Sequence, residues 1–126
     1  MPATASKTAT KPSIRILYGE SDEKILAEHA AEMQKAGHQV TTALHRNGVA
    51  AELQGDKFDL VILGSTLSKD DRHHLPYMVK KNAPGTKVLV MHAAARHHEV
   101  DAVVESGMSM VFLLERIANL VQPAAR

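Results

Sequence analysis

The sequence predicts an α/β fold: a five-stranded parallel sheet, doubly wound, with helices on both faces. Three observations carry this expectation. From Ser13 onward, short apolar runs alternate with stretches of helical periodicity. The strand candidates are apolar at nearly every position, as in Leu60-Val61-Ile62-Leu63, which suits strands covered on both sides. Gly37, Gly55, Ala83-Pro84-Gly85 and Gly107 fall where the periodic stretches stop. Short connections and right-handed crossovers then favour one wound sheet over two packed sheets.

The elements follow in order. Residues 14–19 form the first strand. Ser21 is the expected N-cap of a helix reaching about Ala36, with Asp22 and Glu23 complementing the dipole in its first turn. Leu26, Ala30 and Met33 share one stripe of that helix, and Gly37 ends it. Residues 38–44, rich in Val and Thr, read as a second strand. Asn47-Gly48 marks a turn before a short helix over 49–53. Residues 57–63 are the third and clearest strand. Ser68 caps the next helix, and Asp71 stands at capping-box spacing from it. Pro76 predicts a break or kink, because an interior proline removes a hydrogen bond and clashes with the preceding turn at a cost of about 3 kcal/mol. Residues 87–92 form the fourth strand, 97–105 a helix, 109–113 a fifth strand and 114–121 a last helix.

The chain has 126 residues, a formal charge of +1 and no cysteine. That length suits one domain with a sizeable core, here spanning 13–122. Residues 1–12, rich in Ala, Thr, Ser and Lys, are expected to be a disordered leader, and 123–126 a short tail. At this length no attached output module is expected. The absence of cysteine excludes disulfides, thiolate metal sites and a Cys nucleophile, and fits a cytoplasmic protein. The near-zero charge gives no drive toward nucleic acid or membrane surface. No apolar run approaches the roughly 20 residues of a membrane helix.

Several spaced segments resemble response-regulator receiver domains. Ile16-Leu17-Tyr18-Gly19 followed by Glu20-Ser21-Asp22 is similar to the first strand and its acidic turn. Gly37-His38-Gln39-Val40 resembles the junction into the second strand. Phe58-Asp59-Leu60-Val61-Ile62-Leu63 looks like the strand that precedes the phosphoacceptor aspartate. Ala83-Pro84-Gly85-Thr86-Lys87-Val88-Leu89-Val90-Met91 looks like the entry into strand four, and Glu105-Ser106-Gly107-Met108 resembles the stretch before strand five. The resemblance spans most of the chain. It implies a flavodoxin-like, three-layer sandwich and a place in two-component (phosphorelay) signalling.

The same resemblance implies a pocket whose chemistry is gone. Receivers carry two acids after strand one, and the matching residues here are Glu20 and Ser21. The phosphoacceptor position is Gly64, which has no oxygen with which to form an acyl phosphate. The hydroxyl residue ending strand four matches His92, and the lysine ending strand five falls at Leu114. Only Glu20 keeps the right character. One carboxylate and a hydroxyl make a poor magnesium site, since Mg²⁺ needs several hard oxygen ligands. Phosphoryl transfer depends on positioning and charge neutralisation, and both are deficient.

The implied function is a stand-alone, degenerate receiver-like protein that acts by binding a protein partner, self-association included, without phosphorylation, enzymatic activity or a cofactor. In receivers a helix–strand–helix face docks partners; Val100, Val104, Ile117 and Leu120 are candidates for that face. A second reading stays open. His73, His74, His92, His97 and His98 lie toward the carboxyl ends of the expected strands, where doubly wound sheets hold ligands. With Glu20 they are candidates for a small-ligand or metal-sensing crevice, although none shows the i, i+4 spacing of a helical metal pair. Glu20 itself is either a solvated turn residue or an acid facing His92. Asp70-Asp71 suits a helix first turn better than an acid–base pair. No Gly-rich phosphate loop, nucleophile elbow or basic patch with interleaved aromatics is present.

Overall fold

A computed structural model describes residues 13–91, 100–104 and 109–121. The described elements run β1 (Arg15–Glu20), α1 (Glu23–Lys35), β2 (Gln39–Leu44), α2 (His45–Gly55), β3 (Leu60–Leu63), α3 (Lys69–Asn82), β4 (Lys87–Met91), β5 (Ala102–Val104) and α4 (Met110–Leu120). The five strands form one parallel sheet in the order β2-β1-β3-β4-β5. After β1 the chain winds outward to β2, then returns past β1 to β3. The carboxyl ends of β1 and β3 therefore flank the switch point at which such sheets open a crevice.

Strand alternation divides the interior into two cores. Ile16, Tyr18, Leu60, Ile62, Leu89, Ala102 and Val104 face α1 and α4, where Leu26, Ala30, Met33, Leu113 and Ile117 meet them. Leu17, Val61, Leu63, Val88 and Val90 face α2 and α3, against Val49, Leu53, Leu75 and Val79. Both faces of the sheet are thus dry, which is why its strands read as unbroken apolar runs.

Local chemistry sets the helix ends. The N-cap of α1 is Asp22, not Ser21: its Oδ1 accepts from the amides of Lys24 and Ile25 at 3.0 and 3.1 Å. Gly37 follows α1 with φ 103°, a conformation in which a side chain is strained. Ser68 caps α3 by accepting from the Asp71 amide at 3.1 Å. On the amino side of the sheet, Lys80 donates to the Thr86 carbonyl at 2.6 Å and to Asp101 at 2.8 Å, tying α3 to the entries of β4 and β5.

Four expectations are corrected. Asn47-Gly48 does not turn; it lies inside α2, because burying Val49 and Leu53 one helical turn apart outweighs the turn signal. The helix does not break at Pro76: α3 runs continuously from Lys69 to Asn82, with Leu75, Pro76 and Val79 all buried. Packing that ring against the core offsets the lost hydrogen bond. The fifth strand is Ala102–Val104, within the stretch expected to be helical. Residues 110–113, expected as that strand, open α4 instead. A short apolar run fits either period, and Ser109 decides the matter by capping the Phe112 amide at 3.3 Å. Buried Leu113 and Ile117 then face the core one turn apart. The expectations for 1–12, 92–99 and 123–126 lie outside the described residues.

Candidate functional site

Glu20 is the last residue of β1, and Gly64 follows β3. The register pairs Ile16 with Leu60 and Tyr18 with Ile62, so the next step on the same face sets Glu20 beside Gly64. The Gly64 amide donates to the Gly19 carbonyl at 2.8 Å and extends the ladder to that point. Side chains 16, 18 and 20 project to the α1 side. Over Gly64 there is nothing to stop the Glu20 side chain from crossing.

It crosses fully. A Cβ added to Gly64 would stand 1.8 Å from the Glu20 carboxyl carbon and 2.0 and 2.1 Å from its two oxygens. The carboxylate therefore fills the space in which any side chain at position 64 would begin. Glu20 is 0% exposed, so it is not the solvated turn residue that was one expectation.

A buried carboxylate must be matched by donors. Oε1 accepts from the Thr66 amide at 2.9 Å and from the Thr66 hydroxyl at 2.6 Å. Oε2 accepts from the Tyr18 hydroxyl. The Tyr18 oxygen also lies 2.9 Å from Nδ1 of His29, whose ring stacks on the phenol with centroids 6.2 Å apart. Burial pushes the Tyr18 phenol far above its ordinary pKa, and the hydrogen bond to Glu20 and that group's negative charge push it further. Tyr18 is thus held as a donor. Its remaining lone pair is directed to His29, on the half-buried flank of α1.

Thr66 also joins two loops. Its hydroxyl oxygen accepts from the amides of Ser21 and Asp22 at 2.8 and 3.0 Å. Those amides open the turn into α1. The β1–α1 turn, the β3–α3 loop and the buried carboxylate are therefore one hydrogen-bonded unit. Arg72 adds a strap from α3: its Nε donates to the Leu67 carbonyl at 3.1 Å and its Nη1 to the Met91 carbonyl at 3.4 Å. On the opposite face, Gly19 admits α2 closely, since an added Cβ would stand 2.5 Å from Val49 Cγ2.

Of the residues singled out from sequence, Glu20, Ser21 and Gly64 do converge at the β1/β3 strand ends. Leu114 does not belong there. It lies half-buried on α4, not at the end of β5. With β5 ending at Val104, the position that follows it falls in residues 105–108, Glu-Ser-Gly-Met, which contain no lysine. His73 and His74 are exposed on α3, their rings 5.3 Å apart, with Tyr77 5.9 Å from His73. His92, His97 and His98 lie outside the described residues. Among the described residues no three His, Asp or Glu side chains are grouped to hold a metal ion.

The expected partner face is corrected as well. Val100, Val104 and Ile117 are buried in the two cores and present nothing to a partner, and Leu120 is half-buried against the core. On α4 the large exposed apolar side chains are Val111 and Phe112, at 69% and 43%. Sequence reasoning also missed Tyr18 and His29, and it weighed Thr66 only as a weak substitute nucleophile beside Gly64, not as a donor to Glu20. A usable signal existed for Tyr18: it stands two residues before Glu20 on the same strand, hence on the same face. Nothing local marked His29.

Solved structures share this arrangement of strands and helices. A CheY-like response-regulator receiver domain protein from Methanospirillum hungatei matches with a TM-score of 0.72 at 22% identity, covering 86% of this chain and 93% of that one. The receiver domain of Francisella response regulator 1452 matches with a TM-score of 0.73 at 17% identity, covering 86% of this chain and 97% of that one. A third match is in the complex of histidine kinase ThkA with response regulator TrrA, with a TM-score of 0.70 at 20% identity and coverage of 86% and 98%. No protein-family model and no curated protein matches the sequence. The fold is that of receiver domains, a flavodoxin-like three-layer α/β sandwich. No helix among the described residues is long and apolar enough to cross a membrane.

Proposed function

We propose that this chain is an atypical receiver-like module of two-component signalling that works through protein–protein contact and is not phosphorylated at the pocket ending β3. One observation carries the reading: the Glu20 carboxylate occupies the volume beside Gly64, held by three donors. The position offers neither a carboxylate nucleophile nor room for one, and its donors are already engaged. By contrast, the structurally similar TrrA of Thermotoga maritima is described in complex with Mg²⁺ and beryllium fluoride. TrrA is also described bound to a histidine kinase, which supports a protein partner for this chain. The partner surface proposed here centres on Val111 and Phe112 of α4, because they are large exposed apolar side chains on a helix that buries Leu113 and Ile117 on its other side.

The test is direct. Incubation with acetyl phosphate and Mg²⁺ should leave the intact mass unchanged, and beryllium fluoride should move no amide resonance of residues 19–22 or 64–66. Gly64→Asp should behave the same way, since its Cβ meets the Glu20 carboxylate and no lysine follows β5. A hydroxylamine-labile phosphate on either protein would remove the basis of the proposal.

A further inference from the structure

We propose that the group of donors beside Gly64 is an oxyanion cradle, and that Glu20 is its built-in ligand. The cradle has three donors, the Tyr18 hydroxyl and the amide and hydroxyl of Thr66, set around a floor that has no side chain. Each points at one of the two carboxylate oxygens, an arrangement that selects a planar, two-oxygen anion. Glu20 reaches the cradle from β1 and Thr66 from the β3–α3 loop, so the anion is the joint between two separate segments. The Thr66 hydroxyl, which donates to the anion, in turn accepts from the Ser21 and Asp22 amides. Filling the cradle therefore sets the turn into α1 as well. A carboxylate tethered two methylenes from β1 binds intramolecularly, so a free anion must compete with its effective concentration. The consequence is a pocket permanently in its anion-bound arrangement, with the two loops locked without any outside signal. This inference rests on the reading of the pocket as closed to phosphorylation, and it adds the agent of closure.

Cutting the ligand back should expose the cradle. Glu20→Ala removes the carboxylate and one methylene and leaves the Cβ, a space that suits acetate. In Glu20→Ala, the amides of Thr66, Ser21 and Asp22 should shift and exchange faster with solvent. Acetate should return them toward the wild-type positions with saturation, at a Kd on the order of 10 mM. At about 300 mM acetate that corresponds to an approximately 30-fold gain in the folding equilibrium over chloride at equal ionic strength. Wild type and Glu20→Gln should not respond, because in both the space is filled. If Glu20→Ala does not fold, acetate must refold it where chloride does not. A folded Glu20→Ala with unmoved Thr66, Ser21 and Asp22 amides would overturn the proposal. So would indifference of the variant to acetate, or an equal response from Glu20→Gln. None of these outcomes bears on whether wild type accepts phosphate, so the two readings fail separately.

Discussion

Gly64→Ala tests the site with the smallest possible change. Gly64 does not have a positive φ, so its backbone accepts alanine without strain. Considered alone, the replacement would stabilise the protein by about 0.4–1 kcal/mol through lost freedom of the unfolded chain. The new methyl, however, stands 1.8 Å from the Glu20 carboxyl carbon. One of the two must leave, and the backbone at 64 is pinned by its amide bond to the Gly19 carbonyl. Glu20 is therefore expelled, and the Tyr18 hydroxyl, the Thr66 amide and the Thr66 hydroxyl lose their acceptor. A buried donor left unmatched costs about 1–3 kcal/mol. Thr66 is half-buried and can recover part of this from water, and Tyr18 keeps His29. The net expectation is a loss of about 2–4 kcal/mol by urea denaturation, opposite in sign to the entropic term. The cycle with Glu20→Ala sharpens the test. With the carboxylate already gone, Gly64→Ala should cost almost nothing, giving a coupling of at least about 1.5 kcal/mol between the sites. A Gly64→Ala protein as stable as wild type, or strict additivity of the two changes, would refute the placement of Glu20.

Other outcomes follow from the same geometry. Tyr18 should remain un-ionised while the chain is folded: its pKa is raised in the folded state, so its contribution to stability is complete below the ordinary 10.0 and declines as pH rises above it. Of the two tyrosines, Tyr18 should contribute to absorbance near 295 nm only as the protein unfolds in alkali; Tyr18→Phe removes that coupled step. Asp101 titrates the other way. Burial raises its pKa, but the hydrogen bonds from Lys80 and the Val88 amide, with the charges of Lys80 and Lys87, outweigh this and hold it below 3.8. Its stabilisation is present above about pH 4 and lost as pH falls through the folded value. Asp101→Asn should thus cost about 1 kcal/mol at neutral pH, allowing for solvent screening, and progressively less as the pH falls below about 4. Val111→Asp and Phe112→Asp should change stability by less than about 0.5–1 kcal/mol while abolishing capture of the partner retained by wild type; unaltered capture would move the docking surface off α4.

Much of the architecture is legible in the sequence. β1, β3 and β4 are apolar runs buried on both faces, and nothing competes with that reading. α1 carries its apolar stripe and its glycine stop where the period places them, and only its cap differs, Asp22 in place of the expected Ser21. The misread elements are those whose local signals conflict with packing. Asn47-Gly48 signals a turn, yet Val49 and Leu53 draw it into α2. Pro76 signals a break, yet it is buried within α3. The Met110–Leu113 run suits strand and helix equally, and β5 is only three residues long. The site was half legible: Glu20 and Gly64 were marked by position, while the partners of Glu20 were not.

The order of residues by itself determined a five-stranded parallel α/β sheet, the absence of any side-chain oxygen at position 64 and the presence of one acid at the end of β1. Those are properties of composition and period, which local reading captures. Only the tertiary structure decided that this acid lies over that glycine. The contact joins residues 44 positions apart, and it depends on the β1–β3 register, on Thr66 arriving from the next loop and on Tyr18 facing the same way. Hydrogen-bond partners brought together by sheet register leave no periodic trace in a sequence, so the closed pocket became visible only once the strands were set side by side.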